Sequence, residues 1–254
     1  MIGSALKSHL ENLGQSVNSV DIDLTKIKSL AEVEYLMKQS DYVYFLAFNT
    51  GNSFYRAKKD CEIDFLNANL ELMKNVFNLL KKIGTPFLFV STHQTLNPRN
   101  SYDLLKALGE QYTAALNGTT VRLWNVYGPQ SNLNKTSVIN DFIQKALKHG
   151  CIKLETSGHE KRQFLYVKDC AEALYTIASE QFPDGVIDVS SGKWTSILEI
   201  AEIVSDYTGC TVSFTNTTVQ NKLIEPSWSN LSDCWKPKYT LKGGIFEILK
   251  RSQT

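Results

Sequence analysis

Apolar residues recur at helical spacing at Ala5, Leu6, Leu10 and Leu13, and the run stops at Gly14. That pattern predicts a helix over 4–13 with a glycine C-terminal cap. Val17–Ile22 reads as a short strand and Leu30–Met37 as a helix. Tyr42–Phe48 is continuously apolar instead of alternating, which marks a strand buried on both faces. Cys61–Lys82 carries Ile63, Leu66, Leu70, Met73, Phe77 and Leu80 on one side, predicting a long amphipathic helix. A strand at 86–91, a helix at 101–116 and a strand at 119–124 continue the alternation. Strands that alternate with helices imply a parallel sheet covered on both faces, the doubly wound α/β class.

Beyond residue 129 the pattern is less regular. It predicts helices at 137–149, 167–179 and 196–208, a short strand at 151–154, and a surface loop at the Asn/Thr-rich stretch Asn216–Asn221. No clean linker separates the halves.

A chain of 254 residues that is 43% hydrophobic buries a substantial core. Its 27 Lys and Arg balance 26 Asp and Glu, leaving +1, so no electrostatic footprint for nucleic acid or an anionic membrane is present. An anionic ligand must be held by local charges. The five cysteines are scattered, without metal-ligand spacing, as suits reduced thiols in a cytoplasm. The four histidines also lack ligand spacing, and no metal site is expected. No stretch reads as a membrane span or a signal peptide.

Tyr102 and Lys106 lie four residues apart on the 101–116 helix, so phenol and ammonium share one face. The cation favours ionisation of a phenol that is otherwise a poor base at neutral pH. Such a pair can exchange a proton with a sugar or alcohol hydroxyl. Asp21 lies at the end of the Val17–Ile22 strand, where a carboxylate accepts both hydroxyls of an adenosine ribose and disfavours a 2′-phosphate; Asp23 is a rival for that role. Phe45, Phe48, Phe87 and Phe89 are read as core.

Four blocks follow one another: the strand ending in Ser91-Thr92, then Tyr102-x-x-x-Lys106, then Arg122-Leu123-Trp124-Asn125-Val126-Tyr127-Gly128-Pro129, then Arg162-Gln163-Phe164-Leu165-Tyr166-Val167-Lys168-Asp169. Together they resemble the extended short-chain dehydrogenase/reductase family, in its nucleotide-sugar epimerase/dehydratase branch. The resemblance implies a Rossmann-type dinucleotide-binding domain over 1–129 and a small C-terminal substrate-binding lobe over 130–254, interleaved with late elements of the sheet. It also implies NAD as cofactor, a nucleotide-diphosphate sugar as substrate, and a homodimer through the 61–82 and 101–116 helices.

Met1-Ile2-Gly3-Ser4 resembles the end of the family's glycine-rich motif, with Gly3 as its third glycine, the one for helix–sheet packing. The first strand and the two phosphate-contacting glycines do not appear in this sequence. Truncation, a replacement segment, or a degenerate homologue that no longer binds the dinucleotide are the competing expectations.

Residue by residue, the resemblance implies Thr92, Tyr102 and Lys106 as the catalytic set, with Lys106 also holding the nicotinamide ribose. Gly3, Asp21 and Ala47 join them against the cofactor, and Ser91, His93, Asn125 and Arg162 face the substrate. His93-Gln94 replaces the Asp-Glu pair of the family's 4,6-dehydratases, so dehydration is disfavoured. The reading is an epimerase or 4-ketoreductase. The alternative is a non-catalytic homologue that binds a sugar nucleotide or acts as a scaffold.

Overall fold

The computed structural model describes residues 1–20, 23–50, 61–130, 137–180, 182, 185–215, 217 and 231–252. The chain divides into two compact units, one made of Lys7–Leu123 and Leu174–Asp188, the other of Met1–Leu6, Trp124–Ala173 and Val189–Thr254.

The elements run α1 (Ile2–Asn12), α2 (Ile27–Lys38), β1 (Val43–Phe45), α3 (Glu62–Ile83), β2 (Phe87–Thr92), α4 (Ser101–Ala115), β3 (Thr119–Leu123), β4 (Val126–Tyr127), α5 (Val138–His149), β5 (Cys151–Lys153), β6 (Lys161–Gln163), β7 (Leu165–Tyr166), α6 (Val167–Ser179), β8 (Gly185–Val189), β9 (Trp194–Ser196), α7 (Ile197–Thr208), β10 (Thr211–Ser213), α8 (Leu231–Cys234) and α9 (Leu241–Ser252). The central sheet has the order β1-β2-β3-β8. β1 pairs parallel with β2 from Val43 opposite Phe87, and β2 with β3 from Leu88 opposite Thr119 to Thr92 opposite Leu123. All six residues of β2 are buried, as a strand covered on both faces requires.

The α/β reading holds, with three adjustments. Val17–Val20 form no strand, in keeping with the weak strand propensity of Asn18 and Ser19, and Asp21 and Ile22 lie outside the described residues. Most of the 216–221 segment lies outside them too. The strand expected over Tyr42–Phe48 is only Val43–Phe45, because Ala47–Asn49 leave the sheet. On α3 the buried side is Phe65, Leu72, Met73, Val76, Phe77, Leu79 and Leu80 together with Asn69 and Asn75, while Ile63 and Leu70 point outward.

α3 carries Glu62 and Asp64 in its first turn and Lys81 and Lys82 in its last, matching the helix dipole. It ends at Gly84, whose φ of 79° supplies the left-handed cap. Its buried face packs with Val33, Met37, Phe45, Phe87, Phe89 and Leu105 into the core of the sheet unit. The other unit has its own core, in which Ile139, Phe142 and Ile143 of α5 meet Ile200 and Val204 of α7 and Ile245 of α9. No helix among the described residues is long and apolar enough to cross a membrane.

Candidate active site

α4 begins where the Asn100 side chain accepts the N–H of Asp103, and the Asp103 carboxylate in turn accepts the N–H of Arg99. This start puts Tyr102 in the first turn and Lys106 one turn later. Lys106 is buried and donates to the Val90 carbonyl at 2.6 Å. Its ammonium lies 3.9 Å from the centre of the Phe48 ring, 4.6 Å from that of Phe89 and 6.0 Å from that of Tyr102. Phe48 and Tyr102 meet edge to face at 5.6 Å. The two α4 side chains thus share one aromatic pocket, as their spacing requires. Burial pulls the Lys106 ammonium down to about 7, and the negative charge of Glu110 offsets part of that fall.

Thr92 closes β2. Its hydroxyl oxygen accepts the N–H of Gln94 at 3.3 Å, and its own proton has no acceptor among the described residues. Ser91, its neighbour on the strand, donates instead to Glu110 Oε1 at 2.6 Å. His93 begins the short turn that follows, with Nδ1 3.4 Å from the Leu123 carbonyl.

A cavity of 380 Å³ is lined by Asp23, Leu24, Thr25, Ala47, Phe48, Asn49, Ala68 and Leu72. Two buried asparagines of α3 hold its walls. Asn69 accepts the N–H of Asn49 at 2.9 Å and donates to the Asn49 carbonyl at 3.1 Å. Asn75 donates to the Leu24 carbonyl at 3.0 Å. Asp23 is exposed at the rim and held down to about 2, first by the Thr25 hydroxyl and then by Lys26. The cavity therefore offers an ionised carboxylate beside apolar walls, which fits an adenosine ribose and its base. Asp21, the first choice for that carboxylate, lies outside the described residues. Gly3 is exposed in the first turn of α1, so the close helix–strand approach expected there is not made among the described residues.

Asn125 and Arg162 belong to the other unit. Asn125 donates one of its two amide protons to the Gln163 carbonyl at 3.1 Å, and the second makes no hydrogen bond among the described residues. Arg162 is exposed on β6, and its guanidinium makes no hydrogen bond or ion pair among the described residues. Gln163 is buried and accepts the Ser190 hydroxyl. Asp169, the last acid of the fourth block, accepts the N–H groups of Lys238 and Tyr239 at 3.0 Å each. Its part is to anchor the segment leading into α9.

Residues 1–189, about three quarters of the 254-residue chain, match the NAD dependent epimerase/dehydratase family. The chain belongs to that family. Its cofactor is accordingly NAD. Among similar proteins, UDP-glucuronic acid decarboxylase 3 of Arabidopsis thaliana is 24% identical, aligned over 84% of this chain and 70% of its own. The dTDP-L-rhamnose 4-epimerase of Burkholderia thailandensis is 31% identical over 50% of this chain and 38% of its own. The UDP-glucose 4-epimerase of Thermotoga maritima, solved with UDP-glucose, superposes with a TM-score of 0.83 at 18% identity, covering 100% of this chain and 97% of that one.

Two parts of the candidate site escaped the sequence reading. Phe48 and Phe89, read as core, enclose the Lys106 ammonium, and Phe48 also lines the cavity. Glu110 is the other. A glutamate one helical turn after Lys106 was the available signal.

Proposed function

We propose that this chain catalyses NAD-dependent chemistry on a nucleotide-diphosphate sugar, as a 4-epimerase or a 4-ketoreductase, with Thr92, Tyr102 and Lys106 as the reacting set. The observation that carries this reading is the shared Phe48 ring, which contacts both α4 side chains and lines the cavity. Bound NAD would supply the hydride acceptor. Asp23 and Ala47 line the cavity suited to its adenosine end. Tyr102 takes or returns the proton of the reacting sugar hydroxyl. Lys106 stabilises the phenolate that takes this proton, and the phenolate's negative charge in turn favours the charged ammonium. Thr92 donates its unclaimed proton to the same sugar oxygen. Arg162, exposed and without an ion pair among the described residues, supplies a guanidinium suited to a diphosphate.

His93-Gln94 supports the redox reading over dehydration, because an imidazole and an amide do not supply two carboxyl groups for loss of water. The test incubates purified protein with NAD and, separately, UDP-glucose, UDP-glucuronic acid, dTDP-glucose and GDP-mannose. Absorbance reports NADH, chromatography reports epimers, and release of carbon dioxide from UDP-glucuronic acid identifies a decarboxylase. Failure to bind either dinucleotide removes the redox reading and leaves the scaffold alternative.

A further inference from the structure

Glu110 follows Lys106 by one turn of α4 and is itself buried. One carboxylate serves three elements. Oε1 accepts the Ser91 hydroxyl at 2.6 Å, the Thr95 hydroxyl at 2.7 Å and Arg122 Nε at 3.0 Å. Oε2 accepts Arg122 Nη2 from β3 at 2.6 Å. The Thr95 hydroxyl also lies 2.8 Å from the Thr92 carbonyl, so it shares one proton between Glu110 and the residue whose own hydroxyl faces the chemistry. Burial works against this carboxylate's charge. The bonds from Arg122, Ser91 and Thr95 outweigh burial and hold it below the ordinary carboxylate range.

Adjacent residues of a strand point to opposite faces. With Ser91 turned toward Glu110, Thr92 must present its hydroxyl the other way. Thr95 pins the far end of the same turn, so both flanks of Thr92 hang from one carboxylate. We infer that Glu110 is a positioning residue of the Thr92–Tyr102–Lys106 site, fixing the backbone from Ser91 to Thr95 and setting the electrostatic surroundings of Lys106. The inference rests on the functional reading given above.

Among the described residues, the groups facing each partner are few. Around the Lys106 ammonium, β2 contributes the Val90 carbonyl and the Phe89 ring, and the segment after β1 contributes Phe48, none of them charged. On the same helix lie the Tyr102 phenol, its ring centre 6.0 Å away, and Glu110, the charge that acts on it. Facing Glu110 is Arg122 of β3, which also feels Asp188 of β8.

Two substitutions separate the two roles in the full chain. E110Q keeps an oxygen that Ser91 and Thr95 can bond but removes the charge. E110D keeps the charge and shortens the reach. Protein carrying lysine labelled with carbon-13 at Cε is titrated by NMR, with the Lys106 signal assigned as the one missing from K106R. In E110Q the Lys106 midpoint should fall by about one pH unit while the Gln94 and Thr95 amide signals stay in place. In E110D the midpoint should stay near wild type while those amide signals move. An unmoved Lys106 midpoint in E110Q, or unmoved 94–95 amides in E110D, overturns the proposal. If E110Q does not fold because it strands Arg122, the pair E110Q/R122M gives the same readout. Neither measurement needs NAD or a sugar, so a chain that binds no dinucleotide would end the enzymatic reading without touching this result.

Discussion

A Cβ on Gly109 would lie 2.5 Å from Cζ of Phe89, closer than real contacts permit. The missing side chain is what lets α4 settle against β2, and it sits between Lys106 and Glu110, which both reach β2 residues. G109A must push the Phe89 ring aside and disturb the floor under the Lys106 ammonium. We expect a loss of about 1–3 kcal/mol in urea unfolding. A variant as stable as wild type would show that Phe89 has room to move.

Lys106 gives stability a defined pH dependence. Its folded value near 7 lies below the unfolded value of about 10.4. Between those limits the unfolded chain holds the extra proton, so stability rises with pH from about 7 to about 10, by at most about 1.4 kcal/mol per pH unit. Below 7 both states are protonated and the penalty is constant. The unfolding free energy of wild type minus that of K106M should therefore climb between pH 7 and 9.5. A flat difference would mean that water reaches the ammonium.

Y102F removes the proton-exchanging hydroxyl and leaves the edge-to-face contact with Phe48. Turnover of whichever nucleotide sugar in the panel reacts should drop by a factor on the order of 10²–10⁴. The NAD dissociation constant, read from protein fluorescence, should stay where it was. Equal loss of binding and turnover would assign the phenol to holding the cofactor.

N69L leaves the N–H and carbonyl of Asn49 without their side-chain partners. The expected cost is about 1–3 kcal/mol in thermal or urea unfolding, with weaker NAD binding because the Ala47–Asn49 wall loses its tether. Normal affinity in N69L would show that this wall is held by other means.

Ile63 and Leu70 of α3 and Leu104, Leu108 and Tyr112 of α4 are large apolar side chains left exposed. They fit the proposal of a homodimer through these two helices. L104E/L108E should sediment as a monomer at concentrations where wild type is a dimer, and a monomeric wild type would dismiss the interface.

The period of apolar residues placed most helices and the central strands because their packing is regular. Asn69 shows where that signal stops: a polar residue fills a core position on α3, so an apolar stripe drawn through Ile63 and Leu70 drifts onto the outer side. The early end of β1 was hidden for a related reason, since Asn69, which bonds the Asn49 backbone beyond the strand, stands twenty residues away in sequence. Short elements such as β4, β6 and β9 have two or three residues and carry too little pattern to be read. Tyr102 and Lys106 were legible because one helical turn joins them. Glu110 with Ser91, Thr95 and Arg122 was not, because that cluster exists only once three elements are assembled.

Asn69 and Asn75 suspend the two facing lips of the cavity from a single rod, Glu62–Ile83. A shift of either lip pulls on that rod at Asn69 or Asn75, so a molecule filling the space between them should steady it around those two positions. Amide exchange along Glu62–Ile83 thus becomes a gauge of occupancy that works even for a compound with no colour or fluorescence of its own.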